Sequence, residues 1–412
     1  MIAAYESHSN QWNGRPLNSG DSDPAETDIY ARPSKDASRG SALNVLVNST
    51  VLGYATRSLR SALVMRAIDS LDPFHRDESI LEFRDPCLIV SAAALGDLII
   101  QMPVIEGLIR KCDQEKLRVQ VALRPAHAAI GRKCGWPVLE IENPLQDMFG
   151  GTASLEMILR VIKDIVRLRR RGFKTCIDLS GNAFNAVALR LGGVRRLASK
   201  CTRGGKSLIH HVLPGVPFEN EYAYHERLAN YLGCGFESGV FLKLTSGTRL
   251  SHVVLGLTTN CRWRNWPMYR FLELVQSQPD RIFFATGNPN EIAEEDKESF
   301  RRLCNLSNVL NRVGKLSLLE FIETVSSAAA VVTNDTGTAH VANAFRIPGA
   351  VLFGPGISEQ WAAPHGLRVF QDRTCNHYPC AAWNYKQPDR WCMRGISVQE
   401  VATHLQSVLG NR

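Results

Sequence analysis

No window of the 412-residue chain holds the roughly 18 consecutive apolar residues that a membrane-spanning helix needs, so a transmembrane role is not expected. Met1 to Arg39 lacks the basic patch and apolar run of a secretory signal; it is rich in Ser, Asn, Asp, Gly and Pro and reads as a disordered tail. Neither a G-x-x-x-x-G-K-[ST] loop nor a G-x-G-x-x-G fingerprint occurs, which leaves an ATPase or a nicotinamide dehydrogenase unsupported. Aromatic residues are only 8% of the chain, and the densest basic run, Arg167 to Arg171, has none interleaved. That run closes a predicted amphipathic helix and is no stacking platform, so no nucleic-acid partner is expected.

The chain has 44% hydrophobic and 21% charged residues, the balance of a globular protein, and it is long enough for two α/β domains with added segments. Its formal charge of +8 suits a phosphorylated substrate or anionic lipid headgroups as well as it suits a plain basic surface. Of eleven cysteines, eight (Cys87, Cys112, Cys134, Cys176, Cys201, Cys234, Cys261 and Cys304) are scattered through predicted strands, helices and loops, which points to reduced thiols and a cytoplasmic setting.

After the tail, residues 42–71 carry Leu, Val and Ile at helical spacing until Asp72-Pro73 breaks the pattern. From Pro86 short apolar runs alternate with helical stretches, the signature of a parallel sheet covered by helices. Strands are predicted at Cys87–Ala92, Arg118–Leu123, Val138–Ile141 and Thr175–Leu179, with helices at Asp97–Lys111, Ala126–Cys134, Ala153–Arg171, about Ala183–Leu191 and Tyr222–Leu232. Glycine and polar residues between Gly233 and Leu250 mark a linker. A second series then places strands at Val253–Thr258, Arg281–Ala285, Ala330–Thr333 and Ala350–Phe353, and helices at Met268–Gln276, Glu291–Cys304, Leu316–Ala328 and Gly337–Phe345. Two Rossmann-like halves are expected, with ligands beyond the carboxyl ends of the strands.

Three places could carry chemistry. In Ser91-Ala-Ala-Ala-Leu-Gly96-Asp97 a strand ends, turns and opens a helix with an acid; Asp97 either caps that helix or serves as general base at the cleft edge. In Asn334-Asp335-Thr336-Gly337-Thr338-Ala-His340 a strand runs into a helix whose first turn offers N–H groups and hydroxyls at its positive end, a phosphate site. His340 follows Thr336 by four residues and shares its helix face, although a lone helix histidine is more often structural. In Arg262-Trp263-Arg264-Asn265-Trp266-Pro267 two cations lie beside two indoles, and Arg264 either neutralises a diphosphate or stays solvated.

These sites, in this order, resemble the heptosyltransferases of glycosyltransferase family 9. The likeness rests on Gly96-Asp97-Leu-Ile-Ile-Gln-Met-Pro103, on the element around Trp266-Pro267 and on Asp335-Thr336-Gly337-Thr338-Ala339-His340-Val341-Ala342. It also takes in Thr286 to Glu291, Gly314-Lys315 and Phe353-Gly354-Pro355, and runs from about Pro86 to the C-terminus. The chain departs from the family pattern in having Arg264 where a lysine is usual and alanines in the first motif.

The resemblance implies a GT-B fold; with the composition and spacing above, the chain divides into a tail (1–41), a helical extension (42–80), an acceptor domain (81–246), a donor domain (247–395) and a C-terminal helix (396–412). It implies Asp97 as base; Thr336, Gly337, Thr338 and His340 on the donor diphosphate, aided by Arg264; Asp335 shaping the turn or meeting the sugar; and Glu291 at the nucleoside or heptose. ADP-heptose would be the donor and a phosphorylated glycolipid of the lipopolysaccharide inner core the acceptor, with peripheral contact at the inner membrane surface and no cofactor required for catalysis. Alternatives are a protein or small-metabolite acceptor, a non-catalytic nucleotide-sugar or partner-binding GT-B module, or an epimerase acting on the donor alone.

Near the end, Cys375, His377, Cys380 and Cys392 bring three thiols and an imidazole into one loop-rich segment. They read either as ligands of a structural zinc or iron or as packed, reduced thiols.

Overall fold

The computed structural model describes residues 81–142, 155–181, 183–200, 206–215, 219–245, 247–374 and 391–410. The expected tail (1–41) and helical extension (42–80), and Cys375, His377 and Cys380 of the candidate metal cluster, lie outside them. No helix among the described residues is long and apolar enough to cross a membrane.

The first lobe is a six-stranded parallel sheet: β1 (Cys87–Ser91), β2 (Val119–Leu123), β3 (Val138–Glu140), β4 (Thr175–Asp178), β5 (Arg196–Ser199) and β6 (His211–Val212), in spatial order β3-β2-β1-β4-β5-β6. Its helices are α1 (Leu95–Gln114), α2 (Ala128–Lys133), α3 (Leu155–Arg171), α4 (Ala183–Leu191) and α5 (Glu221–Leu232). The second lobe repeats the plan with β7 (Val253–Gly256), β8 (Phe283–Thr286), β9 (Val309–Asn311), β10 (Ala330–Asn334), β11 (Gly349–Phe353) and β12 (Leu367–Gln371), ordered β12-β11-β10-β7-β8-β9 and again parallel. Its helices are α6 (Met268–Gln276), α7 (Lys297–Cys304), α8 (Leu318–Ser326), α9 (Gly337–Ala344), α10 (Ser358–Trp361), α11 (Trp391–Arg394) and α12 (Val398–Leu409). Each sheet therefore reverses its strand order once, beside β1 and beside β7, and a doubly wound sheet opens a crevice at such a point.

Helices cover both faces of these sheets, so the central strands are buried throughout and read as unbroken apolar runs, as in Cys-Leu-Ile-Val-Ser of β1 and Ala-Val-Val-Thr-Asn of β10. Alternate residues of β1 then serve different cores. Ile89 joins Leu98 and Ile105 of α1 in a cluster that continues into the second lobe through Ile322, Ala339 and Val341. Leu88 and Val90 point the other way, to Leu168 of α3 and Leu189 of α4. Thus α1 is sandwiched between its own sheet and α9 of the other lobe, while α3 and α4 cover the face turned away from that lobe. The C-terminal α12 packs on α6 and β11 and buries Val401 and Leu405 in the second core.

Two expectations are corrected. The helix predicted over Glu291–Cys304 is helical only over α7; two 3-10 turns, Pro289–Glu291 and Glu294–Asp296, precede it because the backbone is extended at Ile292 and Ala293. Strands β5, β6, β9 and β12, two to five residues long, are additional to those predicted.

Candidate functional site

The carboxyl ends of β1, β2, β7, β8, β9 and β10 converge on a cavity of about 570 Å3 between the lobes. The first lobe contributes Ala94, Leu95 and Gly96 from the start of α1, and Ala126 and His127 from the turn after β2. The second contributes Thr258, Thr259, Asn260 and Arg264 after β7, Asn288 and Glu291 after β8, Arg312 and Gly314 after β9, and Thr336, Gly337 and Thr338 at the start of α9.

The start of α9 is tightly built. Thr336 is its N-cap, in extended conformation, and its Oγ1 accepts from the Thr338 N–H at 3.1 Å. Asn334, wholly buried at the end of β10, donates through Nδ2 to the carbonyls of Gly256 (3.3 Å) and Leu257 (2.9 Å), and its Oδ1 accepts from the Trp266 N–H (2.8 Å). One amide thus fixes the ends of β7 and β10 and the Trp266 segment together. Gly256 is needed where β7 passes the same corner, since a Cβ there would collide with the Thr333 side chain. The cavity wall is then a helix N-terminus with two hydroxyls, which favours an anion.

Arg264, in the 3-10 turn Arg262–Arg264, lines the cavity while Nη1 donates to Asp335 Oδ2 and Nη2 to Asn260 Oδ1, both at 3.0 Å. Asp335 is buried beneath that guanidinium, so it holds the arginine in place and offsets part of its charge. Glu291 Oε2 accepts from Thr258 Oγ1 at 2.9 Å, and the same hydroxyl accepts from the Asn288 N–H at 2.9 Å. Gly314, with φ of 68°, turns the chain past Pro289 in the left-handed conformation that favours glycine.

Asp97 sits in the first turn of α1, and its Oδ2 accepts from the Ala94 N–H at 3.2 Å. The capping role is therefore made, at the rim of a cavity lined by its neighbours Leu95 and Gly96. His340 is separated from the other residues predicted to hold the diphosphate. It is buried, its Nδ1 lies 2.7 Å from the Tyr222 hydroxyl of α5, and its ring faces Gly96 of α1. Burial, opposed by the Asp335 charge, lowers its pKa and favours the neutral ring. It lies in the joint between the lobes and is absent from the cavity lining, because the helix rotates it toward α1.

Among the lining residues that were not anticipated, two are ionisable, Arg312 and His127. Arg312 follows a strand of only three residues, and its guanidinium lies 5.7 Å from the Phe284 ring. Burial and then the Arg124 charge hold His127 down at about 4, so its ring is uncharged at neutral pH. The remaining residue of the candidate metal cluster, Cys392, is buried in the second core, and no cluster of three or more His, Cys, Asp or Glu suited to a metal occurs among the described residues.

Two doubly wound sheets meeting across a strand-end cavity define the GT-B architecture of sugar transferases, and the comparisons agree. The structure of E. coli ADP-heptose lps heptosyltransferase II superposes with a TM-score of 0.58 at 17% identity, covering 79% of this chain and 98% of that one. E. coli heptosyltransferase WaaC with ADP gives 0.59 at 15%, covering 78% and 99%. A glycosyltransferase family 9 protein from Veillonella parvula gives 0.59 at 11%, covering 81% and 99%. In sequence, Lipooligosaccharide heptosyltransferase 2 of Haemophilus influenzae is 29% identical over 109 residues, 24% of this chain; the match spans 30% of that relative's length. Residues 244–387 match the model of Glycosyltransferase family 9 (heptosyltransferase). That match is to the family whose pattern the motif around Asp335 to Ala342 resembles.

Proposed function

We propose that the protein is an inverting heptosyltransferase that moves a heptose from ADP-heptose to an acceptor hydroxyl, the acceptor being a phosphorylated glycolipid of the lipopolysaccharide inner core at the inner membrane surface. The observation that carries this reading is the cavity itself, with the amino end of α9 in one wall and the first turn of α1 in the other. The diphosphate would lie against Thr336, Gly337 and Thr338, where helix dipole and hydroxyls meet anionic oxygen. Arg264 and Arg312 would add positive charge to stabilise the departing nucleotide diphosphate. Glu291, tied to Thr258, would face the nucleoside or the sugar. Asp97 would take the acceptor proton as the hydroxyl attacks the anomeric carbon from the opposite side, giving inversion. No divalent metal is invoked. The description of the E. coli relative as bound to ADP, and in another structure to ADP-2-deoxy-2-fluoro heptose, supports an adenosine diphosphate donor.

A second reading, a GT-B module that binds nucleotide sugar without turnover, is favoured by one observation: an Asp97 carboxylate oxygen already caps α1. Asp97→Asn separates the two, because an amide oxygen still accepts the Ala94 N–H and cannot serve as base. Under the transferase reading the variant keeps ADP affinity, and acceptor-dependent ADP release falls by about 10²–10⁴-fold. Unchanged release would remove Asp97 from the chemistry.

A further inference from the structure

Helix α3 holds the first lobe's outer face with a narrow stripe of its surface. Val161, Asp164 and Leu168 are buried, Asp164 Oδ2 accepts the Glu142 N–H at 3.0 Å, and Arg167 Nη1 donates to the Glu140 carbonyl at 2.6 Å. Beside that stripe runs a second apolar one that the described residues of the first lobe do not cover. Leu155 is 72% exposed, Leu159 56% and Ile162 50%, with Ile158 and Val166 exposed alongside. Their spacing at three and four residues puts them on one side of the helix. The second lobe cannot cover them either, because it packs on the opposite face of the sheet, through α1.

The rest of the helix surface is basic. Over 155–171 there are six Lys or Arg against two acids. Lys163, Arg169, Arg170 and Arg171 are exposed and make no ion pair among the described residues. A helix with an exposed apolar stripe bordered by cations matches a surface that is apolar below and anionic above, such as a bilayer with acidic headgroups. The chain's own apolar segment 42–71 is a poorer occupant, since Arg57, Arg60 and Arg66 against Asp69 give it the same sign of charge.

We propose that the exposed stripe Leu155-Ile158-Leu159-Ile162-Val166 of α3, with Lys163, Arg169 and Arg170 beside it, docks the protein flat on an anionic lipid surface. The idea deepens the glycolipid reading and rests on it for its purpose, but it is tested without donor or acceptor, so either can fail alone. The full chain is sedimented with vesicles of phosphatidylcholine, with and without roughly one third phosphatidylglycerol. Wild type should bind the anionic vesicles in a salt-sensitive way. Leu159→Gln/Ile162→Gln should lower the partition coefficient at least about tenfold, and Lys163→Gln/Arg170→Gln should do so only on anionic vesicles. Both pairs sit on the exposed side, so ADP affinity should be unchanged, which verifies the fold.

Vesicle binding equal in wild type and the apolar pair would overturn the proposal. So would a wild-type dimer, seen by light scattering, that the apolar pair splits, because the stripe would then join two copies. New tryptic cuts within residues 1–80 of the apolar pair, with vesicle binding unchanged, would mean that the chain covers its own stripe, and would equally overturn it.

Discussion

Gly96→Ala tests the joint between the lobes. Gly96 lies inside α1, and alanine there would by helix propensity add about 0.5–1 kcal/mol of stability. The structure predicts the opposite sign. A Cβ on Gly96 would come within 3.1 Å of His340 Nε2 and closer still to Cδ2, nearer than Cβ contacts normally allow. The ring has little room to retreat, since the Tyr222 hydroxyl holds its other nitrogen at 2.7 Å. α1 and α9 must therefore part by roughly half an ångström, and overpacking of this kind costs about 1–3 kcal/mol. After the propensity gain a net loss of up to about 2.5 kcal/mol remains, together with weaker ADP binding, because both helices wall the cavity. Urea unfolding and ADP titration measure the two effects. His340→Ala alone should cost about 1–3 kcal/mol, because it removes a buried ring and one partner of the Tyr222 hydroxyl, which Asn343 still meets. In the double variant the added methyl meets space, so the two changes should couple favourably by about 0.5–3 kcal/mol. Additivity, or a Gly96→Ala protein more stable than wild type, would refute the reasoning.

Asn334→Ala should lose about 2–4 kcal/mol in urea unfolding, because three buried backbone groups lose their partner; a loss below about 0.5 kcal/mol would contradict the stitching role. Arg312→Gln should weaken ADP binding by about tenfold without changing stability, as read by calorimetry and unfolding. Asp178, wholly buried at the end of β4, has its pKa raised to about 6 by burial, against hydrogen bonds from Ser180 and Ser199. A carboxyl with a raised folded pKa stabilises below its unfolded value and loses that contribution as pH rises through the folded one. Asp178→Asn should therefore gain stability relative to wild type between about pH 4 and 6; a difference constant across that window would show that Asp178 does not titrate so.

The alternation of strand and helix was legible because parallel strands buried on both faces leave unbroken apolar runs, as in Leu88-Ile89-Val90 and Val331-Val332. The amino end of α9 was legible too, since Thr336 has the side chain of a cap and Gly337 lets α1 approach through Leu95. What escaped depended on partners distant in the chain. Four residues separate His340 from Thr336, which shows that they share a helix face; that α1 presses on the histidine follows only from the packing of the lobes. β9 is three residues long, too short for a periodic signal, so Arg312 went unseen at its end. Asp97 carried both readings in sequence, and the backbone satisfies the cap without deciding the chemistry. Nothing local announced that Asn334 would reach three backbone groups.

The central claim is that a pyrophosphate lies against the amino end of α9. The direct measurement is calorimetric titration of the full chain with ADP and with AMP. The account predicts that ADP binds at a single site at least about tenfold more tightly than AMP, since the added phosphate gains charge-assisted hydrogen bonds, and that Thr336→Val erases most of that difference. Equal affinity for the two nucleotides, or an advantage for ADP that survives Thr336→Val, would contradict it.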